Sequence, residues 1–495
     1  MRKINEDQFI IGQVRIDEIK FDLRSRDEIP KLLMGLQHIY CHEEYRDKIF
    51  EILKEMLPKG ISSDNGRPGM TCWKILVLGT LRLNCNWDYD KVKEIADNHM
   101  TLRLMLGHSL DDRETKYPIQ TIKDNIGLFT PFILNKINKI VVDAGHNLVK
   151  KNGEELHGRC DSFVVETDVH YPTDINLLFD AIRKIITLVS RLCEGSLITI
   201  WRQSVHLLKK MKSLYRAAQK SAHSVRRSKT NKPRKEKQKE KAYKIFIEEA
   251  LELVKKAKET IIEIGSFDIN NLAIVYSIEN YIAHAERQID QITRRVLHGE
   301  TIPHEEKVFS IFEEHTEWIS KGKAGVPQEL GLMVCLLEDQ YGFMLNHEVM
   351  EKTTDEKTAV PFTKKTVELY PDLKSCSYDK NFWTPENKVE LEKILKKVIL
   401  PKKGKLTEEE KAAVREEEYK YLKRKHSAVE SGINALENHG LDRCLDHGIF
   451  GFKRYVALSI IARNLQNLGN KLFCEELSRR KITSENRNRW KIIAA

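Results

Sequence analysis

The chain has 495 residues, 83 Lys or Arg against 73 Asp or Glu, a formal net charge of +10, and 41% hydrophobic residues. This length allows several domains with cores of their own. No apolar run approaches the ~18 residues of a membrane span, and the first residues lack an apolar signal core. These features predict a soluble, globular protein with no export signal and argue against a membrane protein.

Nine cysteines are scattered singly along the chain, from Cys41 to Cys474. They form no Cys-x-x-Cys pair and no Cys/His block with zinc spacing, so we expect reduced thiols and no structural zinc. No glycine-rich loop that could cradle phosphates is present, so a nucleotide cofactor is not expected.

The positive charge is concentrated in one segment. Residues 209–244 contain fifteen Lys or Arg against only Glu236 and Glu240, a net charge of +13 within a chain of +10. Such a concentrated field suits a polyanion, and Lys209, Lys210, Arg226 and Arg227 are candidate DNA contacts. The alternative is a solvated helical surface, but the acids that normally interleave on such surfaces are missing.

Residues 1–150 show helical periodicity, with apolar stripes at 49–56 and 75–83. Thr71 and Asp88 are plausible N-caps of two helices, and Thr101 could open a third. Short helices joined by tight turns are typical of a helix-turn-helix-like DNA-binding domain. A generic helical bundle would show the same pattern.

The period then changes at residues 159–171, where Phe163, Val165, Val169 and Tyr171 make a β-rich run that Pro172 ends. Asp174 opens a helix, and helical character persists to about residue 298. Forty residues of helix reach ~60 Å, so this part of the chain is predicted to be an arm of two or three long helices.

Strand patterns return at 308–312, 332–337 and 342–345, with a basic hairpin loop at 320–325 between the first two. A helix is expected from about Phe362 to Leu369, followed by a strand from Leu373 to Tyr378. Pro385 then begins another helix after Thr384.

Beyond a basic linker at 400–405, Thr407 and Glu410 form a capping box at the head of a long helix. A further amphipathic helix spans 455–472, and the chain ends in a polar, basic tail. We see no internal repeat.

This order of elements predicts an α/β protein with a mixed sheet and the plan of an RNase H-like core. The predicted divisions are a helical DNA-binding domain (1–150), the first part of the catalytic core (151–185), a basic helical insertion (186–302), the rest of the core (303–475) and a basic tail (476–495).

Three acids stand at points where a fold could gather them. Asp161 lies on the first β-run, Asp379 directly follows another, and Glu430 flanks the apolar stripe of a helix. Carboxylates from separate elements suit two-metal-ion phosphoryl transfer, because Mg²⁺ takes hard oxygen ligands and keeps open positions. Asp168 is a second candidate on the first run; its parity is opposite to that of Asp161, so only one of the two should face the site.

The sequence around these acids resembles bacterial insertion-sequence transposases of the DDE type, which have an RNase H-like catalytic core. The resemblance is carried by Asp161–Asp174, which ends in Tyr-Pro-Thr-Asp, by Asp379–Asn387 and by His426–Arg443. Phe163 departs from the hydroxyl residue usual in the first segment, and Glu437 stands where many relatives have a basic residue. The region around Arg67 resembles the family's DNA-binding region.

The resemblance implies a transposase that binds the terminal inverted repeats of its element, cleaves the ends and transfers the freed 3′-hydroxyl to target DNA. Asp161, Asp379 and Glu430 would hold two Mg²⁺ or Mn²⁺ ions. The partners would be double-stranded DNA and a second copy of the chain at synapsis, in the bacterial cytoplasm at the nucleoid. Further candidate DNA contacts are Arg67, Lys321, Lys323, Lys453 and Arg454.

Three side chains near the acids have open roles. Trp383 could stack on an unpaired base or pack against the following helix, and His170 and His426 could support a metal site or be structural. Two other functions fit the same sequence: an inactive, DNA-binding architectural relative, and an RNase H-like nuclease without strand transfer. Retention of all three acids favours the active transposase.

Overall fold

A computed structural model describes residues 3–5, 12–57, 69–194, 198–226, 231–264, 269–320, 328–406 and 408–493. The described residues form an α/β protein with a mixed, seven-stranded sheet. Its first half contains α1 (Ile29–Cys41), α2 (Glu43–Lys54), α3 (Cys72–Asn84), α4 (Tyr89–Asn98), α5 (Met100–Met105), α6 (Ile119–Ile126), α7 (Pro131–Val149), β1 (Leu156–Thr167), α8 (Asp174–Leu192), α9 (Ser204–Arg226), α10 (Lys232–Ile264) and α11 (Ile269–Ile292). Its second half contains β2 (Glu317–Ile319), β3 (Glu329–Glu338), β4 (Met344–Met350), α12 (Asp355–Leu369), β5 (Leu373–Tyr378), α13 (Pro385–Ile394), β6 (Lys397–Ile399), α14 (Glu408–Arg415), α15 (Glu417–Leu436), β7 (Arg443–Cys444) and α16 (Gly448–Ile493).

The chain divides into two compact units. Unit 1 comprises Met1–Asp168 and Ile319–Ala495, and unit 2 comprises Val169–Trp318. The inserted segment is therefore longer than the predicted 186–302 at both ends. The reason is that α8, predicted to belong to the sheet core, buries its apolar face against the helices that follow it in unit 2.

The sheet of unit 1 has β1 at its centre. β1 runs antiparallel to β3 and parallel to β5. β4 pairs antiparallel with β3, and β6 pairs parallel with β5. The short β7 joins the far end of β1, and β2 also belongs to the β3 side. The parallel pair β1–β5 brings Cys160 and Tyr378 into register.

The predicted separation of residues 1–150 as a domain of their own is not what the structure shows. α3 is buried along its whole length, so it needs partners on every side, and α16 near the C-terminus supplies one of them. α1 and α16 also cross closely, because a Cβ on Gly469 would lie 1.8 Å from the carbonyl oxygen of Lys31. One hydrophobic cluster therefore joins the N-terminal helices to the sheet.

Several predicted element boundaries are confirmed. β5 covers Leu373–Tyr378 as expected. The side chains of Thr71 and Asp88 cap α3 and α4 by accepting hydrogen bonds from the backbone N–H three residues on. Thr384 caps α13 in the same way, with Pro385 in the first turn. These positions agree because their signals are local.

Other element predictions were wrong. Residues 308–312 form no strand; Ile311 is buried in the helical core of unit 2 instead. α5 is capped by His99 rather than opened by Thr101. The long helix expected after residue 407 is divided into α14 and α15, because Glu416 has an extended backbone with ψ of 137°. Thr407 itself lies outside the described residues.

The sequence analysis did not predict β6, and it placed the start of α12 too late in the chain. β6 has only three residues, too few to show an alternating pattern. α12 begins at Asp355 rather than near Phe362, and it contains Pro361 in its interior. Proline is tolerated there only where the helix gives up one backbone hydrogen bond.

Unit 2 has a core of its own, formed by the apolar faces of α8, α9, α10 and α11. Ile182, Ile186, Phe246 and Ile278 are fully buried in it. Within the described ranges of the chain, no helix is both long and apolar enough to cross a membrane. All nine cysteines lie in the described residues, and none of them forms a disulfide bond.

Candidate active site

Asp161 and Asp379 occupy neighbouring positions on adjacent parallel strands. The β1–β5 register pairs Arg159 with Ser377 and Cys160 with Tyr378. Asp161 is the next residue of β1, and Asp379 is the first residue after β5, where it keeps an extended backbone with φ of −68° and ψ of 156°. Since paired strands lie ~4.8 Å apart, the two carboxylates project from adjacent points of the same sheet face.

Each of these two carboxylates is anchored by one local backbone hydrogen bond. Asp161 Oδ1 accepts from the N–H of Ser162 at 2.7 Å. Asp379 Oδ2 accepts from the N–H of Asn381 at 3.4 Å, which caps the 3₁₀ turn that follows β5.

The other candidate for the first acid, Asp168, lies elsewhere. It is seven residues beyond Asp161, roughly 23 Å along an extended strand. Arg443 on β7 approaches Asp168 at 3.8 Å and pairs with Glu166 at 3.1 Å. The register therefore favours Asp161 as the partner of Asp379, which parity alone did not decide.

Glu430 lies on α15, which packs over the same sheet. The helix turns Val429, Gly432, Ile433 and Leu436 inward, while Glu430 itself is exposed. A Cβ on Gly432 would lie 2.9 Å from both Glu338 Oε1 and Met344 Cε. The absence of a side chain at Gly432 thus lets α15 approach β3 two residues after Glu430.

His426 connects α15 to β5. Its Nδ1 lies 3.0 Å from Ser377 Oγ, two residues before Asp379 on the same strand. Burial lowers the pKa of His426 below its usual value and Arg159 adds to this effect, while the carboxylates of Asp379 and Glu430 oppose it. The imidazole of His426 therefore lies within electrostatic reach of two of the three acids.

A buried ion pair underlies the site. Arg159 Nη1 is 3.4 Å from Glu338 Oε2, with side chains 11% and 5% exposed, and it also donates to the carbonyl oxygen of Asp339 at 3.3 Å. Burial raises the pKa of Glu338 to about 7, although Arg159 pulls it down. Arg159 is two residues before Asp161, so this pair fixes the strand next to the first acid.

The three acids fit a divalent metal by chemistry, because carboxylate oxygens are the ligands that Mg²⁺ and Mn²⁺ prefer. Their side chains do not converge: within the described part of the chain, no group of three or more His, Cys, Asp or Glu lies close enough together to hold an ion. The structure brings Asp161 and Asp379 side by side and places the helix of Glu430 over the same sheet.

The predicted DNA contacts fall into two groups. Arg67, Arg227, Lys321 and Lys323 lie outside the described residues, and so does the side chain of Arg226. Lys209 is exposed on α9, whereas Lys210 is held by Glu249 at 2.6 Å.

Lys453 and Arg454 are engaged in ion pairs. Lys453 pairs with Glu351 at 2.5 Å. Arg454 donates to Asp446 at 2.8 Å, and the same carboxylate holds the buried Arg82 at 3.0 Å. This environment gives Arg454 a structural role and leaves little of its charge for DNA.

Trp383 packs against the core of unit 1 and is half-buried, with Lys402 Nζ 5.9 Å from its ring centroid. His170 lies in unit 2, 3.3 Å from Asp180, whereas the candidate acids belong to unit 1. Of the two histidines considered from the sequence, only His426 is at the site.

Four residues of the site were missed from the sequence: Arg159, Glu338, Ser377 and Gly432. Two of them carry a signal in retrospect, since Arg159 and Ser377 are two positions before Asp161 and Asp379 and therefore share their sheet face. Glu338 and Gly432 meet only through tertiary packing.

Comparisons of the chain with protein-family models, with curated proteins and with solved structures found no match.

Proposed function

We propose that this chain is a DDE-type DNA transposase, with Asp161, Asp379 and Glu430 as its catalytic acids. The observation that carries the proposal is the β1–β5 register, which brings the first two acids to adjacent positions. The segments around all three acids resemble those of the insertion-sequence transposases, and the helix of the third packs on the same sheet.

An RNase H-like core is part of this proposal. The strand order β4-β3-β1-β5-β6, antiparallel on one side of β1 and parallel on the other, agrees with the predicted order of three strands, helix, strand and helix. In such a core the carboxyl end of the parallel strands presents side chains beyond the sheet, as Asp379 is presented beyond β5.

The acids would hold two Mg²⁺ or Mn²⁺ ions, which when bound supply an activated water and stabilise the leaving 3′-oxygen. The chain's own residues fix the positions of the acids. Pairing of β1 with β5 sets the separation of Asp161 and Asp379. The His426–Ser377 contact and the close approach at Gly432 set the distance between α15 and the sheet. The 3′-hydroxyl freed by cleavage would attack target DNA at the same site.

Unit 2 would contribute DNA affinity through the basic stretch of α9 and α10. Lys209, Lys212, Arg216 and Lys220 lie on α9 and take part in no ion pair among the described residues. Their charges are therefore available to phosphates. Joining two element ends would require at least two copies of the chain.

The test uses a plasmid that carries the coding sequence with its native flanking DNA, the purified protein, and Mg²⁺ or Mn²⁺. Strand breaks and joined products are mapped by primer extension and sequencing. We expect breaks at the element ends, and we expect Asp161→Asn, Asp379→Asn and Glu430→Gln each to lower cleavage by about 10³-fold or more, as loss of a group essential to transition-state stabilisation does.

Asp168→Asn is the matched control and should cut normally. If Asp379→Asn and Glu430→Gln cut as well as the original protein, the site assignment is wrong. Cleavage without joined products would identify a nuclease, and end binding without cleavage would identify an inactive, architectural relative.

A further inference from the structure

Unit 2 contains a cavity of about 540 Å³ that the proposed chemistry does not use. Its walls are the chain that leads into α8, the second half of α9, one residue of α10, the end of α11 and the segment 304–309. This volume lies within the range of small-molecule sites, ~300–1,000 Å³.

One wall of the cavity is aromatic. The Trp318 ring centroid lies 5.7 Å from that of Tyr171 and 5.6 Å from that of Phe309. His304 continues the series at 5.2 Å from Phe309. Tyr171 remains 60% exposed, so one face of its ring is accessible from solvent.

The other walls are polar and carry a cationic excess. Arg295 and Lys307 line the cavity together with one acid, Asp174, which pairs with Arg295 at 2.8 Å. Lys307 takes part in no ion pair among the described residues. Gln291, which is 3% exposed, and Gln219 add amide groups on facing helices.

α8 also begins at this cavity, with Thr173 as its N-cap. The first backbone N–H groups of a helix are unpaired within it and attract anions. Asp174 in the first turn opposes that attraction, but Arg295 neutralises it. A planar ring and an anionic group would thus find complementary walls in one site.

We propose that this cavity binds a nucleotide, with its base against the Trp318–Tyr171 wall and its phosphate near Lys307 and the start of α8. Aromatic side chains bind any base through its π-face, and a lysine binds phosphate as a point charge. The nucleotide could be free or be the unpaired end of a DNA strand, since the recognised chemistry is the same. The proposal does not require that the protein cleave DNA.

The experiment measures binding of two probes to the full-length protein: dAMP by isothermal titration calorimetry, and a fluorescein-labelled eight-nucleotide oligothymidine by anisotropy. Trp318→Ala and Tyr171→Ala should each weaken binding by about fivefold or more, in line with the loss of one base–aromatic stack. Lys307→Ala should weaken both probes and reduce the salt dependence. Tyr276→Ala is the matched control, because Tyr276 is 76% exposed in the same unit but does not line the cavity.

Binding of both probes would identify a site for free nucleotides. Binding of the oligonucleotide alone, weakened in Trp318→Ala and Tyr171→Ala, would identify a site for a strand end. Trp318 lies in β2, so an alanine at this position could disturb the strand as well as remove the ring. Trp318→Phe keeps an aromatic ring there and should retain most of the affinity. The proposal is overturned if neither probe binds, or if Trp318→Ala and Tyr171→Ala bind as the original protein does. Asp379→Asn should leave this binding intact, so failure here is separable from failure of the proposed catalysis.

Discussion

Gly432 is the residue at which α15 comes closest to β3. We expect Gly432→Ala to move the helix, because the added Cβ would meet Glu338 Oε1 and Met344 Cε at 2.9 Å. Overpacking costs ~1–3 kcal/mol, while alanine gains about 0.5–1 kcal/mol over glycine within a helix. The net loss of unfolding free energy should therefore stay near ~1 kcal/mol.

The larger effect of Gly432→Ala should be on the proposed cleavage, since Glu430 is on the same helical turn. We expect a tenfold or greater fall in the cleavage rate at unchanged DNA affinity, because a displacement of ~1 Å at an active site has such effects. Ser431→Ala, at an exposed neighbouring position, should change neither rate nor stability. An unaltered rate in Gly432→Ala would show that the distance between α15 and the sheet does not control cleavage.

Glu338 should make the stability of unit 1 depend on pH. Burial raises its pKa from 4.5 to about 7, so the folded protein holds this proton more tightly than the unfolded chain. The resulting stabilisation is complete below pH 4.5 and is lost as pH rises through 7, with a magnitude on the order of 3 kcal/mol.

Chemical denaturation at pH 5 and pH 8 tests this directly. Relative to the original protein, Glu338→Gln should lose that part of the pH dependence, because the amide stays neutral at both values. Glu390→Gln, at an exposed position, should retain it. Identical pH dependence in the original protein and Glu338→Gln would mean that Arg159 keeps Glu338 ionised throughout.

At the scale of elements, the basic face of α9 should control the salt dependence of DNA binding. We expect the triple change Lys212→Gln, Arg216→Gln, Lys220→Gln to reduce the slope of log affinity against log salt by about 0.9 for each phosphate that the variant no longer neutralises. Lys256 and Lys258 on α10 are paired with Glu252 at 2.7 Å and Glu286 at 2.6 Å. Changing those two lysines to glutamine should leave the slope almost unchanged, and equal slopes for both sets would exclude a DNA-binding role for this face.

The sequence predicted elements well where the signal was local. β5 and the caps of α3, α4 and α13 follow from strand alternation and from Thr or Asp before a helix. The prediction of a strand at residues 308–312 was wrong, because an apolar, aromatic run gives the same pattern whether it forms a strand or packs on helices.

The sequence named the candidate acids, but it did not indicate the residues that pack around them. Asp161, Asp379 and Glu430 were chosen through motif resemblance, and the register that brings the first two together could not be read from separate strands. The contact of Gly432 with Glu338 joins residues 94 positions apart in the chain. No local pattern encodes such a meeting, because packing of α15 on the sheet creates it.

At the scale of the whole molecule, the chain leaves unit 1 after β1 and re-enters it at Ile319 in β2, and β3, which follows β2, pairs with β1. Glu166 on β1 pairs with Gly331 on β3, and Thr167 Oγ1 donates to the carbonyl oxygen of Leu330 at 3.3 Å. β1 and β3 are therefore held together by pairing that does not involve unit 2, whose own core is separate. Unit 1 should fold without unit 2.

Replacing Val169–Trp318 by a flexible Gly/Ser linker, long enough to pass from the end of β1 across β3 to Ile319, tests this separation. We expect a cooperative thermal transition by circular dichroism and Mn²⁺ binding by calorimetry close to that of the full chain. DNA affinity should fall and lose most of its salt dependence, because the segment 209–244 carries the excess charge. A protein that aggregates, or that keeps the original salt slope, would contradict this division of roles, and the Lys212/Arg216/Lys220 variant of the full chain separates loss of charge from loss of the unit itself.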